Sequence, residues 1–419
     1  MKKNILLLIN IVLPFILFSQ NNTIINKNSI HSYVQKLEGV NDTSYNDLTF
    51  FDELLKDKKY LFIGESSHYT AEQYLLKTRL IKYLHSKYGF NLLAMESNMG
   101  TTSFLNTFKN TSPVIDSIVP YFNYYFPCIE MIPMIKYILK TNLISTGFDI
   151  WTASPKIWYP AVRKYFKIPD SLYFKDSIFY NYLILKSDTI KNKESFNEIK
   201  KFNPKKILQE LPSAWKSSIK NIAIDTINDP IKKCIAKSIL IRADMLNGIL
   251  TKRISITIRD SIMSQNLLWI MQNFPNEKII FWAHNGHIEK VSQNFKESGF
   301  SKGMSGLEGN MIKYLHDTII AKSYFLGIYA NEGYSLFNEK SYKLKKSKRN
   351  MLGSIILKSG YDIAFCNFSN QQQCKENDWM FHKIKATSEY KYKIIPIKSY
   401  DGVIIIKKVS PINYINRNN

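Results

Sequence analysis

Tyr60-Leu-Phe-Ile-Gly-Glu-Ser-Ser-His-Tyr69 is the stretch whose reading decides the fold. Four apolar residues with aromatic and β-branched content run into Gly64, which describes a short buried strand closed by a turn former. From His68 onward, Glu72, Leu75 or Leu76, and Arg79 recur at helical spacing, so the stretch reads as strand, tight turn and helix. The helix is expected from about Ala71 to Lys87, with Gly89 as its C-cap. Glu65 and His68 then fall at the carboxyl end of the strand, the edge where open parallel sheets bind ligands. A carboxylate three residues from an imidazole also sets an acceptor beside the one side chain that titrates near neutral pH.

Such a turn, taken alone, has a structural reading: Glu65 caps the helix and His68 is a satisfied, partly buried histidine. What decides is whether other strands end in the same way, and they do. Asn91-Leu-Leu-Ala-Met-Glu96 ends in a carboxylate followed by Ser97 and Asn98. Leu143-Ile-Ser-Thr-Gly-Phe-Asp149 repeats the device. Lys278-Ile-Ile-Phe-Trp-Ala-His284-Asn-Gly-His287 delivers two of the chain's 7 histidines across Asn285-Gly286, a turn-forming pair. Strand, helix and strand in close succession form a βαβ unit, so the first two strands should run parallel. Strands ending in Glu65, Glu96, Asp149 and His284, if they share one sheet, converge on one cleft holding Glu65, His68, Glu96, His284 and His287.

Outward from these strands, the chain reads as α/β: a mostly parallel sheet flanked by helices, with a helical insertion capping the carboxyl edge. The insertion spans about 151–255 and is Lys-rich, punctuated by Pro169, Pro204, Pro212 and Pro230. A Tyr-, Phe- and Ile-rich stretch over about 101–140 is expected to be helical. Arg259-Asp260, Met263, Asn266 and Trp269 share a helical stripe, with Met263 and Trp269 facing the core and a buried ion pair at its head. Late strands are expected at Lys322–Ala330, Gly360–Asn367 and Gly402–Ile406. The glycine-rich Gly303–Gly309 is neither a Walker A loop nor a serine elbow, since Leu307 stands where the last Gly of GxSxG belongs. Residues 20–45 read as a spacer and lead-in helix, 46–410 as the catalytic domain and 411–419 as a tail.

At 45% hydrophobic and 22% charged residues, the 419-residue chain is globular. The net charge of +23 comes from lysines scattered over its helices, and the dense run Lys343–Arg349 reads as an exposed loop. No nucleic-acid-binding motif accompanies it, so no nucleic-acid partner is expected. The N-terminus has a basic Met-Lys-Lys-Asn, an apolar Ile5–Phe18 interrupted by Asn10, and Ser19 as a small residue for cleavage. That is an export signal over 1–19, too short to span a bilayer; a periplasmic or secreted protein with no stable membrane anchor is expected. None of the cysteines, Cys128, Cys234, Cys366 and Cys374, lies in a CxxC. Cys366 and Cys374 are close enough in sequence to bridge one loop, and buried unpaired thiols fit equally well.

The chemistry that this set of residues suggests most simply is hydrolysis. His68 takes a proton from water, Glu65 or Glu96 fixes its tautomer, and His284 or His287 donates to the developing oxyanion. Gly64-Glu65-Ser-Ser-His68, Arg79, Met95-Glu96-Ser97-Asn98, Gly147-Phe-Asp149, Arg259-Asp260 and Trp282-Ala-His284-Asn-Gly-His287 stand in this order. The ordered set resembles the erythromycin esterase family over roughly 45–410, ending in Asp401-Gly402-Val403; Tyr69 stands where many relatives carry Gly. The resemblance implies hydrolysis of a macrolide's lactone ester, or a related carboxylic ester, without a metal or other cofactor. It implies His68 as general base, with Glu65, Glu96, His284 and His287 as the other catalytic groups. Arg79, Asn98, Asn285, Asp149 and Arg259 are the implied substrate-binding residues, and Arg79 has an alternative as an ion pair with Glu65 or Glu96. Two further readings stand beside it: a metal-dependent hydrolase using the same histidines and carboxylates, and a non-enzymatic envelope protein binding a small ligand in the cleft.

Overall fold

The computed structural model describes residues 30–123, 127–151, 153–187, 193–253, 256–290, 310–337, 340–389 and 393–415. The export signal, residues 20–29 of the spacer and Gly303–Gly309 lie outside the described residues. In chain order the strands are β1 (Val34–Leu37), β2 (Tyr60–Ile63), β3 (Leu92–Asn98), β4 (Ile144–Asp149), β5 (Ile279–Trp282), β6 (Ser323–Phe337), β7 (Lys340–Leu344), β8 (Ile363–Asn367), β9 (Ile384–Lys385), β10 (Lys393–Ile394) and β11 (Gly402–Val409). A nine-stranded sheet runs in the order β1-β8-β11-β6-β2-β5-β3-β4, with β7 paired to β6; β9 and β10 form a separate ribbon. From β11 through β4 every neighbouring pair is parallel, whereas β8, β1 and β7 pair antiparallel.

The strands are apolar on both faces, as parallel strands covered by helices must be. Leu61 and Ile63 of β2, Leu93 and Met95 of β3, and Ile280 and Trp282 of β5 enter one core. Tyr60 and Phe62, Leu92 and Ala94, and Ile279 and Phe281 enter the core on the opposite face. The alternation is the two-residue period of a strand. On that second face Phe62 stacks between Phe281 and Phe325, with centroids 4.8 and 4.7 Å away. The first face is covered in part by α1 (Ala71–Tyr88), which ends on Gly89 at φ 68° with its N–H bonded to the Leu84 carbonyl.

The insertion leaves the sheet after β4 and returns through α2 (Ile256–Asn273) into β5. It has its own core, including Trp158, Trp215 and Leu246, and is tied internally by the buried pair Arg242–Asp176 at 2.6 Å. Among the described residues, no helix is long and apolar enough to cross a membrane. Cys128, Cys234 and Cys366 are buried and Cys374 is exposed; all four are unbridged.

Four expectations need correction. The lead-in segment contains a strand, β1, because Val34 and Leu37 turn into the cores while the backbone completes β8 antiparallel. The stretch 101–140 is divided, with helices Ile115–Phe122 and Ile132–Lys140 following Met99–Phe104. Lys343 and Leu344 of the basic run belong to β7, although its lysines are exposed as expected. Finally, residues 411–415 are not a loose tail: Ile412 is 4% exposed and joins the first core.

Candidate active site

Strand order decides what meets at the carboxyl edge. β5 lies between β2 and β3, so the ends of β2, β5, β3 and β4 set Glu65, His284, Glu96 and Asp149 side by side. Parallel neighbours are about 4.8 Å apart, close enough for side chains on adjacent strands to bond. α2 adds Arg259 and Asp260 from its first turns.

His68 rides on the connection 64–70 and not on α1, which begins only at Ala71. The connection is held by Gln73, which accepts from Ser66 N at 2.8 Å and donates to Ser66 Oγ at 3.0 Å. Glu65, 2% exposed, points inward beneath His68. One carboxylate oxygen accepts from His68 Nδ1 at 2.5 Å; the other accepts from Lys77 Nζ at 2.5 Å and Trp282 Nε1 at 2.9 Å. The Lys77 ammonium also lies 4.5 Å from the Trp282 ring centroid. Burial pushes the Glu65 carboxyl up, but Lys77 and His68 outweigh it and bring it to about 2. Burial likewise pulls Lys77 down to about 8 against the opposing effect of Glu65. With its Nδ1 proton on an ionised Glu65, neutral His68 carries its lone pair on Nε2. Its side chain is 26% exposed, against 13% for His287 and 3% for Glu65. Of the three, His68 is the most exposed to solvent.

The second half is built around Arg259. Its Nη2 donates to Glu96 at 2.6 Å and to Asp149 at 2.8 Å, and its Nε donates to Asp149 at 3.0 Å. His287 sits between Asp260, 2.5 Å from Nδ1, and Glu96, 3.2 Å from Nε2. Burial and Arg259, whose Nη1 lies 3.0 Å from His287 Nε2, disfavour its charge, but Glu96 and Asp260 dominate and raise it to about 10. Glu96 is itself pushed up by burial and held well below the usual carboxylate range by His287 and Arg259. His284 is the opposite case. Its Nδ1 accepts from Gly286 N at 3.1 Å, Nε2 lies 3.3 Å from the Ser66 carbonyl, and burial with the nearby His68 brings it down to about 3. The His68 and His284 ring centroids are 5.2 Å apart, and those of His284 and His287 6.4 Å apart.

Glu65, His68, Glu96, Asp149, Arg259, His284 and His287 are thus brought together. Three others are not. Arg79 is buried away from the cluster, on Asp47 at 2.5 Å and on the Asp42 and Ser44 carbonyls. Asn98 caps the helix Met99–Phe104 by accepting from Thr101 N at 3.0 Å. Asn285 clamps β5 to β6, with Nδ2 on the Ile328 carbonyl at 2.8 Å and Oδ1 accepting from Ile328 N at 3.2 Å. This clamp requires Gly64, where a Cβ would stand 1.9 Å from Asn285 Oδ1. Lys77 was not foreseen, nor were the pairing of Trp282 with Glu65 and that of Asp260 with His287. Lys77 stands among Glu72, Gln73, Thr78, Arg79 and Lys82 in a mixed helical stretch, so its residue type gives no signal of its own.

The carboxylates are engaged by cations and N–H donors. Among the described residues, no group of three or more His, Cys, Asp or Glu side chains is arranged to hold a metal ion.

Fold and site together define an α/β protein with a polar centre at the carboxyl edge of a mostly parallel sheet. Residues 244–409, which include Arg259, Asp260, His284 and His287, match the family described as erythromycin esterase. The putative hydrolase YbfO of Bacillus subtilis (strain 168) is 26% identical over 422 residues, covering 91% of this chain and 90% of that one. Among solved structures, a succinoglycan biosynthesis protein has a TM-score of 0.66 at 17% identity, covering 93% of this chain and 98% of that one. A Bacillus cereus protein gives 0.65 at 19% identity, covering 93% and 100%. A mutant of the erythromycin esterase EreC in its open conformation gives 0.61 at 12% identity, covering 91% and 99%. The match over residues 244–409 makes the chain similar to the erythromycin esterase family, the solved structures share its fold, and the similarity to a putative hydrolase along most of the chain supports a hydrolase.

Proposed function

We propose that the protein hydrolyses a carboxylic ester, in the manner of a macrolactone esterase, through water activated by His68 and without an acyl-enzyme. The observation that carries this is the His68–Glu65 pair: a solvent-facing imidazole bonded at 2.5 Å to a buried carboxylate that Lys77 keeps ionised. His68 Nε2 accepts a proton from water as the water oxygen attacks the ester carbonyl carbon. The carbonyl π pair moves onto oxygen, and the cationic side of the site, His287 and Arg259, favours that negative charge. Collapse breaks the C–O bond, and the departing alkoxide takes the proton back from His68. Glu65 stabilises the imidazolium throughout and Glu96 holds the cations in place.

The test is mass spectrometry of a macrolide and simple-ester panel for the gain of one water, with His68→Ala as the control. Turnover by the wild type and a loss of at least ~100-fold in kcat with the fold intact are expected. Wild-type turnover by His68→Ala would remove the assigned base. Ligand binding with no turnover anywhere in the panel would favour a binding protein. The basic, apolar and small-residue order of residues 1–19 further supports export; the N-terminal sequence of the mature protein checks it.

A further inference from the structure

We propose that Ser410, Ile412 and Asn413, in the segment that follows β11, are positioning residues for His68. This rests on the reading of His68 as the base. The segment crosses the end of the catalytic connection by backbone pairing. Ser410 O accepts from Ala71 N at 2.9 Å, Ile412 N donates to Tyr69 O at 3.2 Å, and Thr70 and Pro411 form an antiparallel bridge. Ser410 N donates to Glu72 Oε2 at 2.7 Å. These contacts begin at the residue after His68.

They also replace a missing cap. The first N–H groups of a helix have no partner inside it, and a side chain usually satisfies one of them. Thr70, at the N-cap of α1, makes no such bond, and its buried hydroxyl has no partner among the described residues. The Ser410 carbonyl serves Ala71 N instead. Farther on, the segment is anchored to a second wall. Asn413 Nδ2 donates to Glu130 Oε1 at 2.8 Å, Asn413 N lies 3.1 Å from Glu130 Oε2, and Ile129 N donates to Asn413 O at 2.9 Å. Ile412, 4% exposed, pegs the segment into the core between the two anchors. The strap therefore fixes the backbone beside His68 against 127–130, a segment remote in sequence. A base must hold its place within a fraction of an ångström, and ~100-fold in rate can follow from a displacement of about 1 Å.

The experiment compares the full chain with a chain shortened after Val409, and with Asn413→Ala in the full chain should the shortened one fail to fold. Kinetics are read on an ester that the wild type turns over, and hydrogen exchange is read on the peptide covering 66–72. The expected result is faster exchange at Ala71, a kcat lower by ~10–100-fold with KM changed less than about threefold, and partial recovery when a synthetic peptide of residues 410–419 is added. Unchanged exchange, or faster exchange with wild-type kcat, overturns the proposal. Exchange needs no substrate. If no ester is turned over, the hydrolase reading fails by itself, while protection at Ala71 still decides whether the strap holds the connection.

Discussion

Replacing Lys77 with Met removes a charge while keeping an unbranched side chain, and it isolates what the buried cation does. The bonds that hold Glu65 bring its carboxyl from 4.5 to about 2, with burial opposing and Lys77 the largest favourable influence. At about 1.4 kcal/mol per pH unit, that favours the fold by about 3 kcal/mol. Burial brings Lys77 from 10.5 to about 8 in spite of Glu65, which disfavours the fold by a similar amount, about 3 kcal/mol. The two act in opposite directions, and the attraction between Glu65 and Lys77 is common to both, so the pair is a poor source of net stability, as is common for buried ion pairs. Its consequence is chemical: Glu65 stays ionised beneath His68. The Glu65 contribution is present above about pH 4.5 and is lost as pH falls through about 2. The Lys77 cost is present below about pH 8 and lifts as pH rises towards 10.5. In Lys77→Met the carboxylate remains buried with His68 and Trp282 alone. Unfolding at pH 7 should then be easier by ~3–5 kcal/mol, and the acid limb of kcat/KM should move up by at least about one pH unit. The double variant Glu65→Gln/Lys77→Met should regain most of that stability and stay inactive. Denaturant titrations and rate–pH profiles over about pH 4 to 9 measure both effects. A Lys77→Met protein that loses less than ~1 kcal/mol and keeps its acid limb would refute the reasoning.

Four other perturbations bear on the site and its surroundings. His287 lies above its ordinary 6.5, at about 10, so its contribution to stability is present below about pH 6.5 and fades as pH rises through about 10; Asp260→Asn should move that decline to lower pH by at least about one unit, and melting across pH shows whether it does. Arg259→Met unties Glu96 from Asp149 and should lower kcat by ~100-fold or more, with Arg259→Lys restoring only part, because an ammonium lacks the planar fork that spans both carboxylates. Arg79→Ala should destabilise the fold by on the order of 2–4 kcal/mol through the unpaired Asp47, while kcat of the folded protein stays within about threefold; a selective loss of kcat would return Arg79 to the site. Activity of metal-stripped enzyme before and after chelator should be equal, and a loss restored by added Zn²⁺ or Mn²⁺ would establish the metal-dependent reading.

What was legible in the chain, and what was not, follows from how each feature is written. The strand ends were legible because a buried apolar run that stops in an acid or histidine marks a parallel strand's carboxyl end whatever its neighbours are. The position of β5 between β2 and β3 was not, since pairing between residues 60–63, 92–95 and 279–282 is long-range and any apolar strand would fit the slot. The resemblance implies Arg79 in the site, and its helical spacing from His68 and Glu72 agrees with that only for an amphipathic helix whose wet face carries all three. On α1 that face is narrow: Glu72, Leu75 and Lys82 are half-buried and Ser86 is exposed, Arg79 among them is buried, and Tyr74, Leu76, Leu80, Ile81, Tyr83 and Leu84 are buried around the rest, so the stripe alone did not tell a buried arginine from a wet one. Gln73 and Lys77, one turn apart, face Ser66 and Glu65, and position 79, two residues past Lys77, falls nearly opposite. The strap was the least legible of all. It holds the catalytic connection chiefly through main-chain N–H and C=O groups, which every residue but proline carries alike, so its position beside His68 leaves almost no mark on residue type. Hence substitutions at Pro411 should be tolerated when they preserve the extended backbone, whereas deleting a single residue there, which shifts the bonds to Tyr69 and Ala71 out of register, should not.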